Sequence, residues 1–228
     1  MIDTKSIKAI SFLRLGYRDY IAARVLLNSG LIIQGTTLAS TAIEKYIKVI
    51  LALNGQSKRV HLNKMTELKK LLDDCYFDIT TMMDKVFLDV IDKVYQARYY
   101  DDIKAPLTFG FFVNQFIGEL DCIVDYFENT VLTGIRDEHG TQIPTDYHKA
   151  VESKDPQLYL NNYLLNGISK KEHMEKEDIA FAIQINPVDV GQDELHASSI
   201  KMKIPYDGQI QGIVLHFTKE KTTGPNIN

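Results

Sequence analysis

Cysteine is scarce in this sequence: Cys75 and Cys122 are the only two in 228 residues, and neither sits at a motif spacing. That excludes a disulfide framework and a multi-cysteine metal site, and it predicts free thiols in a reducing cytoplasm. Long apolar runs are also missing. The longest, such as Val49 to Leu53, fall far short of the roughly 20 residues a membrane helix requires, so no membrane span is expected. The start, Met1-Ile2-Asp3-Thr4-Lys5, has no basic stretch leading into an apolar one, and no secretory signal is expected there. A positive charge excess is lacking as well. Residues 1–133 carry 16 basic and 16 acidic side chains and residues 134–228 carry 10 and 14, so the whole net charge of −4 lies in the second part. Neither part is a nucleic-acid binder by bulk charge, and any RNA contact must come from a local cluster. Glycine-rich phosphate loops and nucleophile elbows are absent. His139, His148, His173, His196 and His216 are scattered without metal-ligand spacing, so neither a metal nor a bound cofactor is expected. There is no internal repeat.

What remains is an ordinary globular composition, 45% hydrophobic and 25% charged. Its first part reads as helices throughout. Ile10, Leu13, Tyr17, Tyr20 and Leu27 form one helical stripe, stopped at Gly30. Ala39, Ala42, Ile43, Tyr46, Ile47 and Ile50 form a second, stopped at Gly55. A shorter helix carries Leu62, Met65, Leu68, Leu71 and Leu72. A fourth begins near Thr80 with Met83, Val86, Phe87, Val90 and Val94 on its buried face. Pro106 separates it from a fifth, in which Phe112, Phe116, Leu120, Val124, Phe127 and Val131 recur at steps of three or four. The expected fold is mainly α, an up-and-down bundle of four to five helices over residues 1–133.

After Thr133 the texture changes, and residues 134–228 read as a linker followed by a smaller α+β extension. Residues 134–154 are polar and read as a linker or long loop. Asp155-Pro156 is a good helix start, with room to run to Asn166 before Gly167. The charge run from Lys170 to Asp178 reads as a solvated face. The period then becomes two: Ile179, Phe181, Ile183 and Ile185 alternate with smaller or polar residues, and Ile200, Met202 and Ile204 alternate with lysines. Gln209 to Thr218 reads as the hairpin partner after a turn at Pro205–Gly208. Three strands alone are near the lower limit of stability, so docking on the helices is expected.

Some segments are more specific than their periodicity. These are Tyr17-Arg-Asp-Tyr-Ile-Ala-Ala-Arg-Val-Leu-Leu-Asn-Ser-Gly30, Ala39-Ser-Thr-Ala-Ile-Glu-Lys-Tyr-Ile-Lys48 with Leu51-Ala-Leu-Asn-Gly55, and Tyr95-Gln-Ala-Arg-Tyr-Tyr-Asp-Asp102, with His61 and Leu68 between. The A-x-x-L-L stretch ending in glycine, the A-x-E-K-x-x-K helix and the A-R-Y turn together resemble the HEPN family (higher eukaryotes and prokaryotes nucleotide-binding). The likeness covers roughly residues 6–133. It implies a four- to five-helix domain that dimerises through helix faces. Within that family it leaves three roles open: a metal-independent ribonuclease of toxin–antitoxin or defence systems, a nucleotide-binding partner of a nucleotidyltransferase, and a non-catalytic RNA-binding or assembly module.

The nuclease branch of the family carries an arginine followed, after four to six residues, by a histidine. Counting from Arg98, those positions hold Ile103, Lys104 and Ala105. Arg59 and His61 are too close, as are Arg136 and His139. Metal-free RNA cleavage needs one group to take the 2′-hydroxyl proton and another to protonate the leaving oxygen, work that suits histidine. Arg98 alone could hold a phosphate but not complete the pair. The sequence therefore argues for a non-catalytic homodimeric module; a ribonuclease would need an unconventional set such as Arg98, Tyr99 and His61.

Candidate ligand-binding residues are Glu44, Lys45, Lys48, Arg98 and Asp102, with a nucleotide or RNA as ligand. Glu44 and Lys48 share a helix face with Thr37 and Thr41. They form either a plain i,i+4 ion pair, contributing a few tenths of a kcal/mol, or a polar strip lining a dimer cleft with Lys45 near phosphate. Arg98 continues the stripe of Phe87, Val90 and Val94, and reads either as a structural arginine or as an anion site flanked by Tyr99, Tyr100, Asp101 and Asp102. His61 reads as a capping or packing residue. The small residues Gly35, Thr36, Ser40 and Thr41 suggest where a partner helix could approach in a two-fold dimer. Residues 134–228 are expected to recruit a protein partner.

Overall fold

The computed structural model describes residues 4–56, 70, 72–75, 78, 83–97, 107–131, 141, 143–185 and 196–216. It is mainly helical with a small antiparallel sheet. In chain order the elements are α1 (Thr4–Asn28), α2 (Ile32–Leu53), α3 (Lys85–Ala97), β1 (Leu107–Phe112), α4 (Val113–Tyr126) running into a π-helical turn (Phe127–Val131), α5 (Asp146–Ser153), α6 (Pro156–Tyr159), α7 (Lys170–Met174), β2 (Asp178–Ile185), β3 (His196–Met202) and β4 (Gly212–His216).

The first two helices form a hairpin. Each ends where the sequence places a glycine, Gly30 at φ +80° and Gly55 at φ +75°, a backbone region open to residues without a Cβ. Around Gly30 the Leu31 amide donates to the Leu26 carbonyl at 2.9 Å and the Gly30 amide to Leu27 at 3.1 Å. Gln56 and Gly55 repeat this with Leu51 and Ala52. Both ends thus satisfy their last carbonyls in the Schellman arrangement.

The strip of small residues on α2 turns inward. A Cβ built on Gly35 would lie 2.6 Å from Leu27 Cγ and 3.0 Å from the Leu27 backbone nitrogen. Thr36 and Ser40 are buried, and the Ser40 hydroxyl reaches the Ile91 carbonyl on α3 at 3.5 Å. This strip therefore brings α2 close to α1 and α3 of the same chain, which removes it as the motive for a dimer contact. Gly35→Ala is expected to destabilise the chain by about 1–2 kcal/mol net: overpacking costs roughly 1–3 kcal/mol, offset by up to about 1 kcal/mol from better helix propensity. A urea titration would check this, and an unchanged midpoint would refute the close packing.

The third stripe falls mostly outside the described residues, although Leu72 is fully buried. Phe87, Val90 and Val94 are buried on α3 as their spacing predicts. The expected fifth helix is different. Its first stripe residue, Phe112, instead ends a strand, Leu107–Phe112, and the helix starts only at Val113. Phe109 and Phe111 enter the core as alternate residues of that strand; the step of four from Phe112 to Phe116 imitates a helix across the junction.

The strand order is β3-β2-β1-β4, all antiparallel. β1 is thus an inner strand, with Phe111 opposite Phe181 of β2 and Phe109 opposite both Ile183 of β2 and Val214 of β4. The hairpin expected between β4 and the Ile200 strand does not form; β4 pairs with β1, on the far side of the sheet. The sheet packs on α4 through Phe111 and Phe116, whose rings lie 4.9 Å apart, and Phe116 meets Phe87 of α3 at 4.8 Å.

Residues 143–153, read as part of a linker, contain α5. Thr145 caps it, accepting from the His148 amide, while the His148 ring accepts from the Thr145 amide. Tyr147 and Ala150 are buried. The helix starting at Asp155-Pro156 ends at Tyr159 and gives way to turns around Asn161, whose φ is +56°. The charge run is not wholly solvated either: α7 buries His173 and Met174, and Asp178 is buried. Asp178 accepts the Asn114 and Gln115 amides at 2.8–3.1 Å and so caps the N-terminus of α4.

Candidate functional site

The residues richest in chemistry lie where α1, α2, α4 and α5 meet. Tyr20 and Arg24 stand one turn apart on the buried stripe of α1, and Asp121 stands on α4 between Leu120 and Cys122. Tyr20 donates its hydroxyl proton to Asp121 Oδ1 at 2.8 Å, and Arg24 forms an ion pair with the same oxygen. Both charged side chains are 0% exposed. A buried guanidinium needs every donor occupied. Each of the three Arg24 nitrogens has a partner, since the side chain also donates to the Leu160 carbonyl just after α6 and to the Gln157 carbonyl within it.

Two further carboxylates lie on the same side of α4 and its π-helical turn. Glu128 Oε1 accepts from the buried Tyr46 hydroxyl at 2.7 Å, and Asp125 Oδ1 accepts from Tyr147 at 2.6 Å. The Tyr46 ring stacks on Phe127 at 5.3 Å. Tyr17 lies between them, its ring 6.2 Å from Tyr20 and 6.3 Å edge-on from Tyr147. Half-buried, it also lines a groove of about 530 Å³ along the outer face of α1 with Ile21, Ala22 and Val25.

The electrostatics follow from burial. Loss of solvent pushes the Glu128 carboxyl up to about 7, against the smaller opposing effect of the Tyr46 hydroxyl, with Asp146 and Asp125 adding repulsion. Burial also pushes Asp121 up, and the Arg24 guanidinium and Tyr20 hydroxyl oppose it. Arg24 stays a cation, and its contact holds Asp121 as the counter-ion. The hydroxyls of Tyr17, Tyr20, Tyr46 and Tyr147 are all driven above the ordinary tyrosine range by burial and neighbouring carboxylates, so they are proton donors here and not bases. No hydrogen-bond partner among the described residues reaches the buried Asp121 Oδ2 or Glu128 Oε2. Among the described residues no group of three histidines, cysteines or carboxylates could hold a metal ion.

The cluster ties elements together: it joins α1 to α4 and to the turn after α6, α2 to the π-helical turn, and α5 to α4. None of its members is a candidate site residue by sequence. A signal was present for Arg24, which lies four residues after Tyr20 and three before Leu27, inside an otherwise apolar stripe.

The candidates that the sequence does offer are placed differently. Lys45 forms an ion pair with Asp19 of α1. Lys48 forms one with Glu44, and its ammonium lies 6.0 Å from the Phe12 ring centroid. These pairs are partly buried between α1 and α2. Thr37 and Thr41 turn their hydroxyls back to carbonyls of their own helix. Arg98, Tyr99, Asp102 and His61 lie outside the described residues. His148 belongs to the α5 cap, and His173 stacks on Tyr163 at 5.1 Å, with burial pushing both imidazoles below their ordinary value. No described helix is long and apolar enough to cross a membrane. Compared with protein-family models, with curated proteins and with solved structures, the chain finds no match.

Proposed function

We propose that this chain is a non-catalytic HEPN-type module that works as a homodimer and uses its C-terminal extension to recruit a protein partner. The observation that carries this reading is the open side of the sheet. β3 is an edge strand, and on it Ile200 is 65% exposed and Met202 39% exposed. Large apolar side chains exposed together mark a surface that another molecule covers. The motifs around Gly30, Glu44-Lys45 and Arg98 support the HEPN part. The engagement of Lys45 and Lys48 in ion pairs within the chain supports an assembly role over phosphate binding by that helix.

With the α2 strip turned inward, the dimer contact is assigned to the outer stripe of α1, where Leu15 is 45% exposed and Ile21, Ala22 and Val25 border the groove. Light scattering at micromolar concentration is expected to show a particle of twice the 26.0 kDa chain, and Val25→Glu is expected to return it to one chain. A wild-type particle of one chain would sink the dimer. Total RNA incubated with the protein is expected to stay intact. Metal-independent cleavage lost in Arg98→Ala would replace this reading with the ribonuclease one.

A further inference from the structure

The edge of the sheet carries enough pattern to name the chemistry of its partner. β3 pairs with β2 alone among the described residues, with Ile200 opposite Ala180, Lys201 opposite Ile179 and Met202 opposite Asp178. Among the described residues nothing pairs with its other side. Because side chains alternate along a strand, Ile200 and Met202 share one face and Ser199 and Lys201 the other, with Lys203 directly after the strand. The first face continues an apolar row across three strands, Phe112–Ala180–Ile200, in which Ala180 and Phe112 are only half-covered. Lys201 on the second face and Lys203 just past the strand are both exposed, and neither is ion-paired among the described residues. Lys201 shares a hollow of about 240 Å³ with Glu177 and Asp178; the latter is already occupied by backbone amides of α4.

We infer that the free edge of β3 binds an extended segment of another protein whose side chains alternate between apolar and acidic, adding a fifth strand to the sheet. Backbone groups along an unpaired edge supply the hydrogen bonds of such an addition, and the alternating side chains supply its selectivity. An acidic residue facing Lys201 gains an opposite-charge cross-strand pair and a second one can reach Lys203 just beyond the strand, while the intervening apolar residues cover Ile200 and Met202. A second copy of β3 fits poorly, because the strand His196–Met202 carries no carboxylate to set against Lys201. Edge lysines alone can serve to block aggregation, but that role leaves the exposed Ile200 and Met202 without a reason. This inference rests on the partner-recruiting half of the proposed function and not on the dimer.

The test uses the full chain and two labelled synthetic peptides, one alternating glutamate with valine and one alternating lysine with valine. Fluorescence anisotropy is expected to show binding of the glutamate peptide only, weakening as salt is raised. Hydrogen exchange is expected to show new protection at β3 amides. The double substitution K201E/K203E, at exposed positions, is expected to weaken the glutamate peptide about tenfold and to bring in the lysine peptide. Circular dichroism of the variant confirms that it is folded, and the salt dependence of the wild type gives a second reading that needs no variant. Equal binding of both peptides, no binding of either, or protection elsewhere would overturn the inference. So would protection of β3 that grows with protein concentration and needs no peptide, which assigns the edge to a second copy. A one-chain particle that still binds the glutamate peptide defeats only the dimer; a dimer that ignores it defeats only this inference.

Discussion

Asp121→Ala is expected to lower the stability of this chain by about 3–5 kcal/mol, a larger loss than the one expected of Gly35→Ala. The cause is the charge it leaves behind. Arg24 and Asp121 are both 0% exposed, and removing the carboxylate strands a guanidinium that cannot shed its proton. The Tyr20 hydroxyl loses its acceptor in the same step, at a further cost. The pair itself contributes far less than this loss suggests, because burying two charges nearly cancels their attraction. The double substitution Arg24→Met with Asp121→Leu is therefore expected to recover most of the stability lost by Asp121→Ala. Urea titrations of the wild type, the single variant and the double variant check both statements. A single variant within about 1 kcal/mol of the wild type would refute the buried pair.

The second large effect is a pH dependence set by Glu128. Its folded value, about 7, lies above the ordinary glutamate value of 4.5, so the folded chain holds a proton that the unfolded chain releases. The stability associated with that proton is fully present below about pH 4.5 and falls as pH rises toward about 7, after which it levels. The span corresponds to a loss on the order of 3 kcal/mol. The groups facing this carboxyl include Tyr17 from α1, Tyr46 from α2, Thr145, Asp146 and Tyr147 at the start of α5, and Asp125 on α4. His148 and His173, held low by burial, act with the opposite sign as the pH falls through their unfolded range near 6.5. The difference between the wild type and Glu128→Gln isolates the carboxyl, because glutamine keeps an acceptor for Tyr46 and cannot ionise. The variant is expected to match the wild type near pH 4.5 and to be more stable near pH 8. Parallel stability curves for the two proteins would show that Glu128 is not protonated in the fold.

The helices of the first part were legible because their signals are local. Gly30 and Gly55 stop α1 and α2 through φ values that a neighbouring sequence cannot override. The buried stripes of α2 and α3 follow from the 3.6-residue period alone. The junction at Phe112 was not legible, since a short strand and the first turn of a helix share apolar residues at the same places. The π-helical turn and α5 were missed for a related reason. α5 has only two buried residues, Tyr147 and Ala150, too few to show a period in a polar stretch.

The candidate site was less legible than the fold. Arg24 is separated from Asp121 and Glu128 by about a hundred residues in sequence, and each alone resembles an ordinary surface charge. Their meaning lies in who meets whom: Arg24 is acceptable inside the protein only because Asp121 and the Leu160 carbonyl reach it. Residues marked by motif, such as Lys45 and Lys48, pair locally, one across to α1 and one along α2.

By itself, then, the sequence determined the elements whose cause is local: two long glycine-stopped helices, the stripe of α3, and the alternating β2 and β3 segments. Tertiary structure decided the rest. It placed β1 inside the sheet, sent β4 to its far side, turned the small-residue strip of α2 inward, and buried a charged cluster among tyrosines. The physical reason is that hydrophobic period and backbone preference act over a few residues. Strand partners and the pairing of buried charges depend on contacts that exist only once the chain has closed on itself.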